Sequence, residues 1–91
     1  MRLDKFLKVS RLIKRRTIAK EVCDAGKILI NGRTAKASSE VGIGDILEIG
    51  FTNRKMKVKV SQISETVKAA DAGEMYEILS EQRVQREELE L

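Results

Sequence analysis

The chain has 91 residues, with 18 Lys and Arg against 14 Asp and Glu for a net charge of +4, and it contains one Cys, no His and no Trp. Without histidine it lacks the usual general base near neutral pH and the commonest transition-metal ligand, and a single thiol can form neither an internal disulfide nor a cysteine zinc cage. A chain this short forms one domain that buries only roughly 60–65% of its unfolded surface, so a small aliphatic core with no deep substrate cavity is expected.

Leu3, Phe6 and Leu7 recur at helical spacing, which predicts a first helix over about residues 2–9 with Arg2, Lys5 and Lys8 off its apolar stripe. The charged start has no apolar stretch behind it and so does not read as a secretory signal. No run approaches the roughly 18 apolar residues of a membrane span, so no membrane partner is expected. With its lone cysteine and no export signal, the protein is expected in a reducing cytoplasm. Ser10 to Lys14 read as a connection that turns Leu12 and Ile13 toward the core. A second helix is marked by Ile18, Val22 and Ala25 in line, with Ala19 and Cys23 beside them and Gly26 as a left-handed cap. This places Lys14, Arg15, Arg16 and Thr17 in its first turn.

After Gly26 the period changes to 2. Ile28 and Ile30 precede Asn31-Gly32, the signal of a tight hairpin. Gly42, Gly44 and Asp45 then predict a turn before a strand holding Ile46, Leu47 and Ile49. The segment "GIGD" lacks the spacing of either glycine-rich phosphate loop and reads as that turn alone. Gly50 to Arg54 turn again, and Met56, Val58 and Val60 alternate with Lys55, Lys57 and Lys59. That pattern is a half-buried strand with a basic outer row, read here as lysines guarding a sheet edge. Residues 64–73 read as a polar connection. Met75, Tyr76 and Leu79 are expected to pack in either a short helix or an extended segment, and from Val84 onward an acidic, frayed tail is expected.

Charge is unevenly placed. Residues 1–36 hold eleven cations against Asp4, Glu21 and Asp24, a balance of +8, while the remainder carries −4. The run "KRR" at Lys14–Arg16 stands at the predicted start of the second helix, where the helix dipole favours acids instead. Local rules break most often at functional sites, and a phosphate there would meet helix N–H donors, the dipole and the arginine forks together. Arg2, Lys5, Arg11 and Lys20 extend the basic corner, whose internal repulsion is expected to be relieved only when a polyanion binds. Thr17 either offers a hydroxyl to phosphate or serves the helix start. Cys23, on the apolar side, reads as a packing residue. Serines and carboxylates occur without a base-and-orienter arrangement, so no catalytic residue, metal or cofactor is assigned and the protein is not read as an enzyme.

The polyanion reads as RNA rather than DNA. A helix reading DNA bases would present amides in the major groove, whereas the second helix offers Lys20, Glu21 and Asp24 outward. Only Phe6, Phe51 and Tyr76 are aromatic, too few for a base-stacking strand platform. Recognition of backbone shape by a basic corner remains. An adaptor using the acidic C-terminal half is the alternative from another class.

The segments "MRLDKFL", "RRTIAKEVCDAGKILING" and "VGIGDILEI" closely resemble the small αL-type RNA-binding domain first described in small-subunit ribosomal protein four. The resemblance covers about residues 1–50. Being solitary and continuing into "MYEILSEQ", the chain looks like the stand-alone bacterial members, the heat-shock-protein-fifteen group and, closer, the ribosome-associated quality-control factor family. The resemblance implies an α+β fold, with two N-terminal helices packed on a small, mostly antiparallel sheet and a short C-terminal element. Residues 1–62 would form the RNA-binding domain (core 1–50), and residues 63–91 a C-terminal extension with an acidic tail. It further implies a monomer that binds obstructed large ribosomal subunits retaining peptidyl-tRNA. There it would contact large-subunit rRNA at helix sixty-nine and the tRNA, and support a partner factor that adds alanine tails to the nascent chain. By that resemblance Arg2 and Arg16 are the principal RNA contacts, with Lys5, Lys8, Arg11, Lys14, Arg15 and Lys20 assisting, and Asp4 orients the cations around it. A heat-shock-type subunit-recycling role is the alternative within the same chemistry.

Overall fold

The computed structural model describes residues 1–64 and 69–83, with only the backbone considered at 69–71. Helix α1 (Leu3–Val9) and helix α2 (Arg16–Asp24) pack against each other and are followed by strands β1 (Ile28–Ile30), β2 (Arg33–Thr34), β3 (Ile46–Gly50) and β4 (Arg54–Val60). A 3-10 helix (Ala69–Met75) leads into β5 (Tyr76–Arg83). The strands form one antiparallel sheet in the order β2-β1-β3-β4-β5, the expected α+β arrangement of two N-terminal helices on a small sheet.

The core is aliphatic. Leu3, Phe6 and Leu7 from α1, Ala19 and Cys23 from α2, and Ile28, Leu47, Ile49, Val58 and Val60 from the sheet are buried in one cluster. In β4 the predicted alternation holds, with Met56, Val58 and Val60 buried and Lys55, Lys57 and Lys59 exposed. Since the helices cover the face carrying the first three, strand geometry sends the lysines to the opposite face. Asn31 and Gly32 sit at φ 51° and 83°, both in the left-handed region that a type I′ hairpin turn requires. Asn31 does more than turn the chain: its Nδ2 donates to Asp45 Oδ1 at 3.1 Å and its Oδ1 accepts from Ile46 N–H at 2.9 Å, tying the hairpin to the start of β3. Gly26, at φ 75°, follows the C-terminus of α2 as expected.

Several expectations change. The apolar stripe of α2 is centred on Ala19 and Cys23, and Ile18 is 43% exposed, because the i, i+4 pair that faces the core begins one residue later than the bulkier side chain suggested. The lysines of β4 guard no edge, since β3 and β5 flank that strand on both sides. Of the polar connection expected over 64–73, residues 65–68 lie outside the described residues, and a 3-10 helix begins at Ala69 and brings Ala72 and Met75 into the interior. The C-terminal element is a strand. The register passes from Val58↔Ile78 to Lys57↔Ser80, leaving Leu79 as an extra residue that is 45% exposed instead of packed. The acidic tail expected from Val84 lies outside the described residues.

Burial sorts the apolar positions by energetic weight. Leu47→Ala, at a fully buried site on the middle strand, is expected to lower unfolding free energy by about 2–5 kcal/mol. Ile43→Ala, at a site 69% exposed, should stay within about 0.5 kcal/mol of the parent, as measured by urea denaturation.

Candidate nucleic-acid interface

The first residues run extended beside the segment that precedes β3. Arg2 bridges Glu40, and the N–H groups of Leu3 and Asp4 donate to the Ser39 and Ala37 carbonyls at 2.8 and 3.1 Å. The first two donors of α1 are therefore occupied by backbone, which fixes the start of the helix and the direction in which residue 4 points.

Asp4 points inward and is 3% exposed. Its carboxylate accepts from Arg2 Nε (3.2 Å) and Nη2 (3.3 Å), from Arg16 Nε (3.4 Å) and from Lys5 N–H (2.8 Å). Burial by itself raises the pKa of this carboxyl, but the Arg16 hydrogen bond and charge, the Lys5 N–H and the Arg2 fork together hold it below the usual carboxylate range. Asp4 therefore stays ionised and joins α1 to α2 through two arginines twelve and two residues away. Half of each arginine side chain, 49% at Arg2 and 51% at Arg16, remains in solvent. One carboxylate thus aligns two guanidinium groups and leaves a net positive, outward-facing pair. The repulsion expected within the basic corner is in part relieved here without any ligand.

Helix α2 begins with Arg15 as its N-cap, with no side-chain cap bond and no acid in its first turn. Lys14 and Arg15 therefore lie outside the helix, contrary to their expected place in its first turn, because Arg15 adopts an extended conformation at φ −124° and ψ 135°. Thr17 is within the helix and exposed, so its hydroxyl is not the cap. Lys20 is exposed one turn beyond Arg16. Lys5 is partly buried, and Lys8 is exposed in the last turn of α1, where a cation also complements the helix dipole. Lys8, Arg11, Lys14, Arg15 and Lys20 make no ion pair among the described residues.

Arg11 carries a feature that its residue type did not signal. It sits just past the C-cap of α1 at φ 63°, a position that favours glycine. Ser10 N–H bonds Phe6 O (2.9 Å), Arg11 N–H bonds Lys8 O (3.1 Å) and Ile13 N–H bonds Leu7 O (3.1 Å), so the turn is held by backbone and an exposed cation is placed at its tip. On the buried side of α2, Cys23 has its thiol pushed up to about 11 by burial, with the negative charges of Asp4 and Asp24 adding to the effect. It is a packing residue.

A helix pair on a small antiparallel sheet, with a basic corner organised by one buried carboxylate, defines a class of small domain, and residues 1–47 match the S4 domain family. The chain is 56% identical to the RQC P-site tRNA stabilizing factor of Bacillus subtilis (strain 168), over 92% of this chain and 98% of that one. It is 54% identical to the protein of the same name from Streptococcus pneumoniae, over 93% and 97%. A trimeric structure of Vibrio cholerae heat shock protein 15 superposes with a TM-score of 0.79 at 29% identity, covering 88% of this chain and 82% of that one. The chain belongs to the S4 domain family and, within it, to the family of RQC P-site tRNA stabilizing factors.

Two consequences are measurable. Asp4→Asn should lose about 1–3 kcal/mol of stability at neutral pH, toward the lower end because both arginines are half in solvent. Since the native pKa of Asp4 is lowered, its contribution is present in full above the unfolded value of about 4 and disappears as pH falls through the native value. Urea denaturation of parent and Asp4→Asn should therefore converge in acid. Arg11→Gly should raise stability by about 1 kcal/mol by removing a left-handed non-glycine residue, read as a higher urea midpoint at unchanged m-value.

Proposed function

We propose that this chain is a non-enzymatic RNA-binding factor of bacterial ribosome-associated quality control. In this role it sits on obstructed large ribosomal subunits, contacts rRNA and peptidyl-tRNA, and supports a partner factor that adds alanine tails to stalled nascent chains. It acts as a cytoplasmic monomer. Residues 1–62 form the RNA-binding domain, and residues 63–91 form an extension whose strand β5 completes the sheet.

The observation that carries the reading is the Asp4 carboxylate held between Arg2 and Arg16. A flexible surface arginine loses side-chain entropy when it clamps a phosphate, whereas these two are already oriented, with half of each side chain still open to solvent. Arg2 and Arg16 make the central phosphate contacts, as forks suited to paired oxygens. Lys5, Lys8, Arg11, Lys14, Arg15 and Lys20 surround them, and Thr17 offers a hydroxyl beside the uncapped start of α2. Asp4 does not touch phosphate, which would repel it. Relatives named RQC P-site tRNA stabilizing factor at 54–56% identity, against 29% for the heat shock protein 15 structure, support the quality-control reading over subunit recycling.

Arg2→Gln and Arg16→Gln each keep a donor for Asp4 while removing the cation. Each should keep the fold by circular dichroism and weaken binding to purified large subunits about 10- to 100-fold, the loss expected for one or two charge-assisted hydrogen bonds. In sucrose gradients of lysate, the parent chain should travel with free large subunits that carry tRNA, and both variants should move to the top. A parent chain found only in small-subunit or ribosome-free fractions would overturn the reading.

A further inference from the structure

The second candidate surface lies on the sheet face turned away from the helix pair. Lys55, Lys57 and Lys59 project from β4 on the face that the helices do not cover. Successive lysines of the row stand about 6.6–6.8 Å apart, twice the rise of a strand and comparable with the step between neighbouring phosphates of a single nucleic-acid strand. Because β4 is flanked by β3 and β5, protection of a sheet edge does not explain the row. Neutralisation within the fold does not explain it either. Glu48 is in register with Lys57, and Glu77 with Lys59, yet none of the three lysines forms an ion pair among the described residues.

The surface is concave. Lys27, Leu29, Glu48, Lys55, Lys57 and Gln82 line an open trough of about 570 Å³ across β1, β3, β4 and β5. Lys27 adds a fourth exposed cation beside the row, also without an ion pair among the described residues. Four cations against Glu48 and Glu77 leave this face positive although the C-terminal portion of the sequence is acidic.

We propose that the β4 lysine row is a second binding site, for the sugar–phosphate backbone of an RNA strand distinct from the one at the Arg2–Arg16 corner. The core between helices and sheet separates this row from the helix surface, so the row takes an RNA segment of its own. Phe51 is the one aromatic among the described residues that line the trough, and Arg54 already lies over its ring at 4.6 Å from the centroid, so the spaced lysines read backbone charge and leave base sequence unread. The choice of RNA as ligand rests on the function proposed above, and the experiment separates the two.

Binding of a short fluorescent oligouridylate is measured across a salt series by anisotropy, and the number of strands per chain by native mass spectrometry. The parent is expected to bind two strands. Lys55→Gln/Lys57→Gln/Lys59→Gln should bind one, and Arg2→Gln/Arg16→Gln should also bind one, with the five changes combined binding none. In the Arg2→Gln/Arg16→Gln background, adding the three lysine changes should remove a salt slope of about 2, near 0.7 for each phosphate released. Lys55→Arg/Lys57→Arg/Lys59→Arg should keep both sites. The proposal is overturned if the triple Gln variant, with unchanged circular dichroism, binds as many strands with the same salt slope as the parent. It is also overturned if oligoglutamate of equal length displaces RNA from the Arg2→Gln/Arg16→Gln chain as readily as unlabelled RNA does, which would assign the face to an acidic peptide. If the arginine variant keeps two sites while the triple Gln variant loses one, the corner reading fails and the lysine row stands.

Discussion

A carboxylate taken out of water must find compensation within the protein, and at Asp4 that compensation organises much of the molecule. The charge is retained because Arg16, the Lys5 amide and Arg2 together outweigh the desolvation that would otherwise favour the neutral acid. Meeting that requirement needs the start of α1, the start of α2 and the chain segment at Ala37–Ser39 in fixed relative positions. Removing either arginine would leave a buried charge short of donors, so the corner is structural as well as chemical. The outward halves of the two guanidinium groups owe their orientation to the same constraint.

Seen this way, the unfavourable features of the corner have a common logic. Helix α2 starts with Arg15 and Arg16, without an acid or side-chain cap, at the end where its dipole is positive. Arg11 occupies a left-handed position that favours glycine. Each is a small loss to the isolated fold. Each also adds positive potential or leaves a cation exposed, and in the proposed role the phosphate backbone supplies the missing negative charge. The stabilising contribution of Asp4 is modest beside that of the buried aliphatic cluster, yet it sets direction, which nonpolar contacts do not do.

The sheet carries its own division of labour. Its covered face contributes Ile28, Leu47, Ile49, Val58 and Val60 to the core, while its outer face gathers lysines from β4 and Lys27 into a shallow concavity. The strict two-residue period of β4 produces both at once, and β5 closes the strand's second side. This leaves a small domain with basic groups on two opposed surfaces and an apolar layer between them.

Much of this was legible in the sequence. The spacing of Leu3, Phe6 and Leu7, the Asn31-Gly32 turn, the glycine after α2 and the alternation in β4 are local patterns, and local sterics and periodicity are enough to specify them. The basic residue types of the corner were equally visible, whereas the burial of Asp4 was not, because a charged side chain is ordinarily assigned to the surface. Other features depended on partners distant in sequence. Whether Tyr76–Arg83 is strand or helix, and whether β4 is an edge, were decided by pairing between β4 and β5, whose partners are 16 to 29 positions apart. The extra residue at Leu79 came from a register shift in that pairing, and the true inner face of α2 from its contact with α1. The sequence by itself determined which short segments form and where the cations lie, since those depend on neighbours within a turn or two. Only the tertiary structure decided that Arg2 and Arg16 meet on one buried carboxylate and that the lysine row faces the other way, because burial and register exist only once separate elements have packed.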